Sequence, residues 1–214
     1  MINEFELSEL LIAKFCHDLA GPIGAINNGF EFLKEENSEM RQKAYQLVEI
    51  SAKQSVARLQ FFRYIYGTLP AVGEANLSEV KLLADNYLVG SKVSLNWPNE
   101  GMVVPGVSIS HRMAQIILNL IHVSSYVLIH GGVVSVEMEK LPNGKRVQVV
   151  AKGNQVKQEE ETTKILLGQL DGIVISTKNV HIYNVMQKVS AIKARLTCEV
   201  AEDQVIYVVE LTKE

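Results

Sequence analysis

The chain has 214 residues, 47% hydrophobic and 21% charged, with 21 Lys+Arg against 24 Asp+Glu and a formal net charge of −3. That is enough for one domain or two small ones, and it leaves no basic excess for counterion-driven binding of nucleic acid. Apolar runs stop short of the ~18 residues a membrane span needs and the start is acidic where a signal peptide would be basic, so we expect a cytoplasmic protein with neither nucleic acid nor membrane as partner.

From Ser8 to about Lys34 the apolar residues keep heptad spacing, with Ile12, Leu19, Ile26 and Leu33 in one register and Cys16, Ile23 and Phe30 in the other. This predicts a long helix with a bundle-type seam, in which Cys16 packs. Glu35-Glu36-Asn37-Ser38 supplies turn and capping residues, and a second helix is predicted from Ser38 to Tyr66, antiparallel to the first. In it Leu47, Ile50, Ala57, Phe61 and Tyr64 keep the seam, while Tyr45, Val48, Leu59, Phe62 and Tyr66 add apolar surface off it. One hairpin cannot bury that much, which argues for a second copy completing a four-helix bundle.

Residues 67–73 read as a Gly/Pro linker, dividing a helical hairpin over 1–70 from a second domain over 71–214. Asn76 and Glu79 have capping-box spacing for a helix through about Val89. A strand at 93–97 and an apolar helix at 110–129 follow. Residues 133–138 and 146–150 flank Pro142-Asn143-Gly144, a strong hairpin signal. Helices are predicted at 159–170 and 180–194, then strands at 196–200 and 205–211. Helices with antiparallel strands in this order predict an α+β chain, its second part a two-layer α/β sandwich.

His17 follows a seam position, so its ring is expected to face out beside the bundle. A histidine on a helix edge is by default merely solvated. What distinguishes this one is its surroundings: Ala20, Gly21, Gly24 and Ala25 lie three, four, seven and eight residues on, leaving a bare face. Each mid-helix Gly costs about 1 kcal/mol and an interior Pro ~3, relative to Ala, which a helix built only for stability would avoid. Pro22 also frees the Asp18 carbonyl four residues earlier. Asp18 can orient the imidazole while its other nitrogen acts as nucleophile.

His17-Asp18-x-x-x-Pro22 resembles the phosphoacceptor box of sensor histidine kinases. The longer run Cys16-His17-Asp18-Leu19-x-Gly21-Pro22-Ile23-Gly24-Ala25-Ile26-Asn27-Asn28-Gly29 resembles the ChpT-type histidine phosphotransferases, over essentially the whole chain. The resemblance implies a dimeric hairpin followed by a degenerate kinase-like ATPase domain. It implies His17 and Asp18 as catalytic residues. It also implies response-regulator receiver domains as partners, including that of a hybrid histidine kinase.

The ATP site of the kinases can be checked against this sequence. Gln115 to Ser124 resembles the helix that carries two asparagines four apart, but after Asn119 the second position is Val123, which has no oxygen for a hard cation. Where an Asp-x-Gly-x-Gly loop is expected the chain has Ala151 for the Asp and Gln155 for the second Gly. No glycine opens the helix at Val180, so a phosphate cradle is lost there too. His111, His122, His130 and His181 show no metal-ligand spacing and are expected at the surface or core edge. Lys152 and Lys178 read as solvated charge.

The expected function is therefore a phosphorelay in which His17 takes a phosphoryl group from one receiver aspartate and passes it to another. No cofactor is needed, and Mg²⁺ belongs to the receiver. Partner contact is expected at Ala20, Gly21, Gly24 and Asn28, with Arg58 and Arg63 on the facing helix. Two alternatives stay open: a diverged ATP-dependent kinase core, and a non-catalytic receiver-binding scaffold.

Overall fold

The structure is a computed structural model and describes residues 2–68, 72–97 and 108–212. The domain boundary expected at residues 70 and 71 lies outside them. Helix α1 spans Glu4–Phe32, starting earlier than the heptads indicate because Asn3 and Glu6 form a reciprocal capping box. Helix α2, Ser38–Tyr66, opens on Asn37, whose side chain accepts from the Glu39 and Met40 amides. The two pack as an antiparallel hairpin.

Its internal seam runs along Phe15, Leu19, Pro22, Ile26, Gly29 and Leu33, which alternate four and three apart and are buried or half-buried. Cys16, Ile23 and Phe30 fall one residue on, about 100° around the helix, and are exposed in the single chain. The expectation that Cys16 packs in this seam is thus corrected: one hairpin can bury only the stripe facing its partner helix.

The seam closes because Gly29 has no side chain. A Cβ there would meet Val48 Cγ2 at 2.5 Å and the Ala44 carbonyl oxygen at 3.4 Å, whereas at Gly24 nothing lies within 4 Å. We expect Gly29→Ala to destabilise the fold by about 1–3 kcal/mol through overpacking. Gly24→Ala should stabilise it by roughly 0.5–1 kcal/mol. Urea midpoints of the two variants should move in opposite directions.

After the hairpin come α3 (Leu77–Leu88), β1 (Val93–Asn96), α4 (His111–Val127), β2 (Gly132–Leu141), β3 (Gly144–Lys152), α5 (Glu160–Leu166), α6 (Val180–Ala191), β4 (Arg195–Val200) and β5 (Gln204–Thr212). At α3 the Asn76 side chain caps the Ser78 and Glu79 amides. Helix α5 ends at Leu166, where residues to Leu170 were expected to continue it. The strands form one sheet in the order β1-β2-β3-β5-β4. It is mixed, not wholly antiparallel, because β1 pairs parallel with β2: α4 carries the chain across between them, and a helical crossover returns it in the same direction. Strands β2 and β3 pair from Leu141 with Gly144 onward, leaving a two-residue loop, Pro142-Asn143. Gly144 is required there, since a Cβ would run into the Leu211 carbonyl oxygen of β5.

Alternate residues of β3 and β5, Val147, Val149, Ala151, Val205, Tyr207 and Val209, face α4 and α6 in a continuous core. That core does not stop at the sandwich. Phe61, Phe62 and Ile65, from the last two turns of α2, are buried in it with Val80, Leu88 and Ile121. The Gln115 amide, from α4, donates to the Tyr64 and Gly67 carbonyl oxygens at 2.8 and 3.0 Å, satisfying the end of α2. Part of the surplus apolar surface on α2 is thus covered by the second half of the same chain. Ile12, Ile23 and Phe30 of α1, with Tyr45, Ile50, Val56 and Leu59 of α2, remain exposed.

Candidate functional site

Adjacent residues on a helix diverge by about 100°, and at His17 and Asp18 this sends one ring outward and one carboxylate inward. The His17 side chain is 83% exposed and that of Asp18 only 6%. Even so, His17 Nδ1 lies 3.1 Å from Asp18 Oδ1. A carboxylate oxygen only accepts, so the contact places the proton on Nδ1 and leaves the Nε2 lone pair facing solvent.

The buried carboxylate is not isolated. Lys14, one turn earlier, donates to Asp18 Oδ1 at 2.7 Å and to the Tyr126 hydroxyl at 2.8 Å, with its ammonium 4.8 Å from the Tyr126 ring centroid. The Tyr126 hydroxyl, from α4, faces Asp18 Oδ2 at 3.4 Å. The Asp18 carbonyl, which Pro22 leaves without its helical donor, accepts from Arg58 Nη1 at 2.9 Å. Arg58, half-buried, is therefore engaged at the back of the dyad. Arg63 is exposed and lines an apolar groove with Leu11, Ile12 and Leu59. Ala20, Gly21, Gly24 and Asn28 are all exposed on the histidine's helix.

Beneath the dyad lies an aromatic cluster that the sequence did not disclose. His122 of α4 is fully buried, its Nδ1 2.7 Å from the Tyr87 hydroxyl, and its ring lies 5.4 Å from that of His181 of α6, also buried. The surface or core-edge placement expected for these two is corrected: apolar packing on both faces of α4 draws the imidazole in. Burial holds the His122 pKa well below the usual histidine range, and burial with the nearby Lys14 ammonium lowers that of His181 to about 4. Burial and the Asp18 carboxylate together push the Tyr66 hydroxyl up.

These shifts carry a sign. The unfolded chain takes up protons at both histidines near pH 6.5, while the folded chain resists until pH about 4 at His181. Stability is therefore full above the unfolded pKa and falls as pH drops below it, by up to ~1.4 kcal/mol per pH unit for each histidine. Urea midpoints measured from pH 7 to 5 should show this decline, and His181→Gln should flatten it.

Of the positions read against a kinase ATP site, two are apolar. Val123 and Ala151 are buried, Asn119 is buried with its amide turned back to the Gln115 carbonyl oxygen at 2.7 Å, and Gln155 is exposed. Neither Val123 nor Ala151 offers an oxygen where the kinases carry the second asparagine and the aspartate. A cavity of about 330 Å³ does lie between α4 and α6, lined by Val123, Lys157, Lys178 and His181 among others, and Lys14 closes one side of it.

A histidine-bearing hairpin packed on an α/β sandwich of this topology is a histidine-kinase-like fold. Residues 77–204 match the family model described as the histidine phosphotransferase C-terminal domain, which is more than half of the chain, and the chain belongs to that family. Over 157 residues it is 27% identical to the protein phosphotransferase ChpT of Brucella abortus (strain 2308), covering 73% of this chain and 72% of that protein. A solved bacterial phosphotransferase superposes with a TM-score of 0.82 at 22% identity, over 98% of both chains. Full-length ShkA, solved in complex with AMPPNP, matches with a TM-score of 0.51 at 13% identity, over 98% of this chain and 46% of that one. Among the described residues no helix is long and apolar enough to cross a membrane.

Proposed function

We propose that this histidine phosphotransferase relays phosphoryl groups between receiver domains through His17, without nucleotide. The observation that carries the reading is the dyad itself: an exposed ring whose Nδ1 is tied to a buried carboxylate on a face bare enough for another protein's active site to reach Nε2. In the transfer, the Nε2 lone pair attacks phosphorus, the bond from phosphorus to the partner's aspartyl oxygen breaks, and the aspartate leaves as carboxylate. Nδ1 keeps its proton, and Asp18 balances the positive charge that develops on the ring. The acyl phosphate already holds the energy, so the work is alignment and charge neutralisation. Mg²⁺ comes with the receiver. The reverse sequence delivers the group to the second receiver.

The exposed apolar face of α1 and α2 supports a homodimer through the hairpin, giving two equivalent histidines. Val123, Ala151 and the buried amide of Asn119 support a sandwich retained for its fold and not for ATP. The test is incubation with a receiver prephosphorylated by a small acyl phosphate, with no ATP present. Label moving to this chain is the expected result. Label taken from γ-labelled ATP alone would instead establish a kinase, and receiver binding without any label would establish a scaffold.

A further inference from the structure

We propose that Lys14 and Tyr126 are positioning residues for phosphotransfer, fixing the Asp18 carboxylate that orients His17, so that the sandwich takes part in the site through the Tyr126 hydroxyl. This rests on the reading of His17 as the phosphoryl acceptor.

The proton inventory around Asp18 has one consistent solution. Lys14 has three protons and no lone pair; one goes to Asp18 Oδ1 and one to the Tyr126 oxygen. Having accepted from Lys14, the Tyr126 hydroxyl has its single proton left for Asp18 Oδ2. His17 Nδ1–H then completes Oδ1. The carboxylate is held at both oxygens, and Arg58 holds the backbone carbonyl of the same residue. A carboxylate so fixed cannot rotate away from the ring, and it presents only lone pairs to Nδ1. Lys14 is as buried as its partner, its side chain only 8% exposed, which a lysine adopts only where the charge is met.

The charge balance matters as much as the geometry. The Lys14 ammonium sits on the same Asp18 oxygen that faces the ring, so part of the carboxylate's charge is met inside the protein and not by His17 alone. The other titratable or charged groups facing the dyad are Arg58 and Tyr66 from α2, Tyr87 from α3, His122 from α4 and His181 from α6. Burial keeps both of those histidines neutral near pH 7, so Lys14 and Arg58 are the cations that balance Asp18.

The test uses the full chain with Tyr126→Phe, Lys14→Met and Lys14→Arg. The saturated transfer rate from a prephosphorylated receiver should fall on the order of tenfold in Tyr126→Phe and further in Lys14→Met, while the half-saturating receiver concentration stays within about twofold. Lys14→Arg should recover part of the rate. Long-range ¹H–¹⁵N spectra of His17 should show the Nδ1–H tautomer dominant in the wild type and diminished in Tyr126→Phe and Lys14→Met. Wild-type rates and wild-type tautomer ratios in both variants would overturn the proposal. If the wild type takes no label at all, the phosphotransfer reading fails separately, and the tautomer spectra still decide whether Lys14 and Tyr126 set the ring.

Discussion

His17→Gln is expected to lower phosphoryl transfer from a phosphorylated receiver by about a thousandfold or more, with the unfolding midpoint unchanged. The large loss follows because, among the described residues, no other histidine is bonded to a carboxylate, and Cys16, though exposed, has no carboxylate bonded to it. The unchanged stability follows from the 83% exposure of the ring: surface substitutions usually fall within ±0.5 kcal/mol. Glutamine keeps a donor for Asp18 but offers no nucleophilic nitrogen, so it separates the chemistry from the dyad's hydrogen bond. Transfer followed by gel label and stability followed by urea denaturation check the two halves independently. A variant that still accepts label would move the acceptor site elsewhere in the chain.

The part of this site that lies within one helix turn was readable from the sequence. His17, Asp18, the bare face at Gly21 and Gly24, and the carbonyl released by Pro22 are all local consequences of helix geometry. Lys14 carried a legible signal as well, since Lys and Asp four apart share a helix face, but it acquires meaning only with Tyr126. That residue is 108 positions from Asp18, and no local pattern in α4 indicates that its hydroxyl meets α1. Arg58 shows the same limit from the other side. Its charge suggested a docking role, and no local pattern indicated that it also binds the vacated Asp18 carbonyl. Long-range placement also explains the histidines, because His122 lies on a helix buried on nearly every face, where periodicity cannot single out which side meets the core.

The fold divides in the same way. Helix α2 matches its sequence boundaries because Asn37 caps it, and the β2–β3 hairpin is announced by Pro142-Asn143-Gly144. What was not legible is where the apolar surplus on α2 goes. Tyr45 and Leu59 stay exposed, but Phe61 and Phe62, within one turn of Leu59, enter the sandwich core. Heptad spacing gives the angle of a side chain around its helix; it does not say whether the surface opposite belongs to a second copy or to the same chain.

Phe62 is where that distinction has its largest energetic consequence. Its ring, 1% exposed, meets Phe15 of α1 at 5.8 Å, Tyr66 of α2 at 5.8 Å, Tyr87 of α3 at 6.1 Å and His122 of α4 at 5.5 Å between centroids. Phe62→Ala should cost about 3–5 kcal/mol, a large share of the ~5–15 kcal/mol that stabilises a typical domain. The loss falls on the joint between hairpin and sandwich. In the wild type, far-UV circular dichroism, dominated by helices, and fluorescence of the buried Trp97 in the sandwich should report one coincident urea transition, because a single core spans both. In Phe62→Ala the helical signal should be lost at lower urea than the tryptophan signal. Transfer should fall in the folded fraction as well, since Lys14 and Asp18 on α1 keep their register with Tyr126 only while α2 is seated on α4. Coincident transitions with a full transfer rate in this variant would show that the hairpin holds its site without the sandwich.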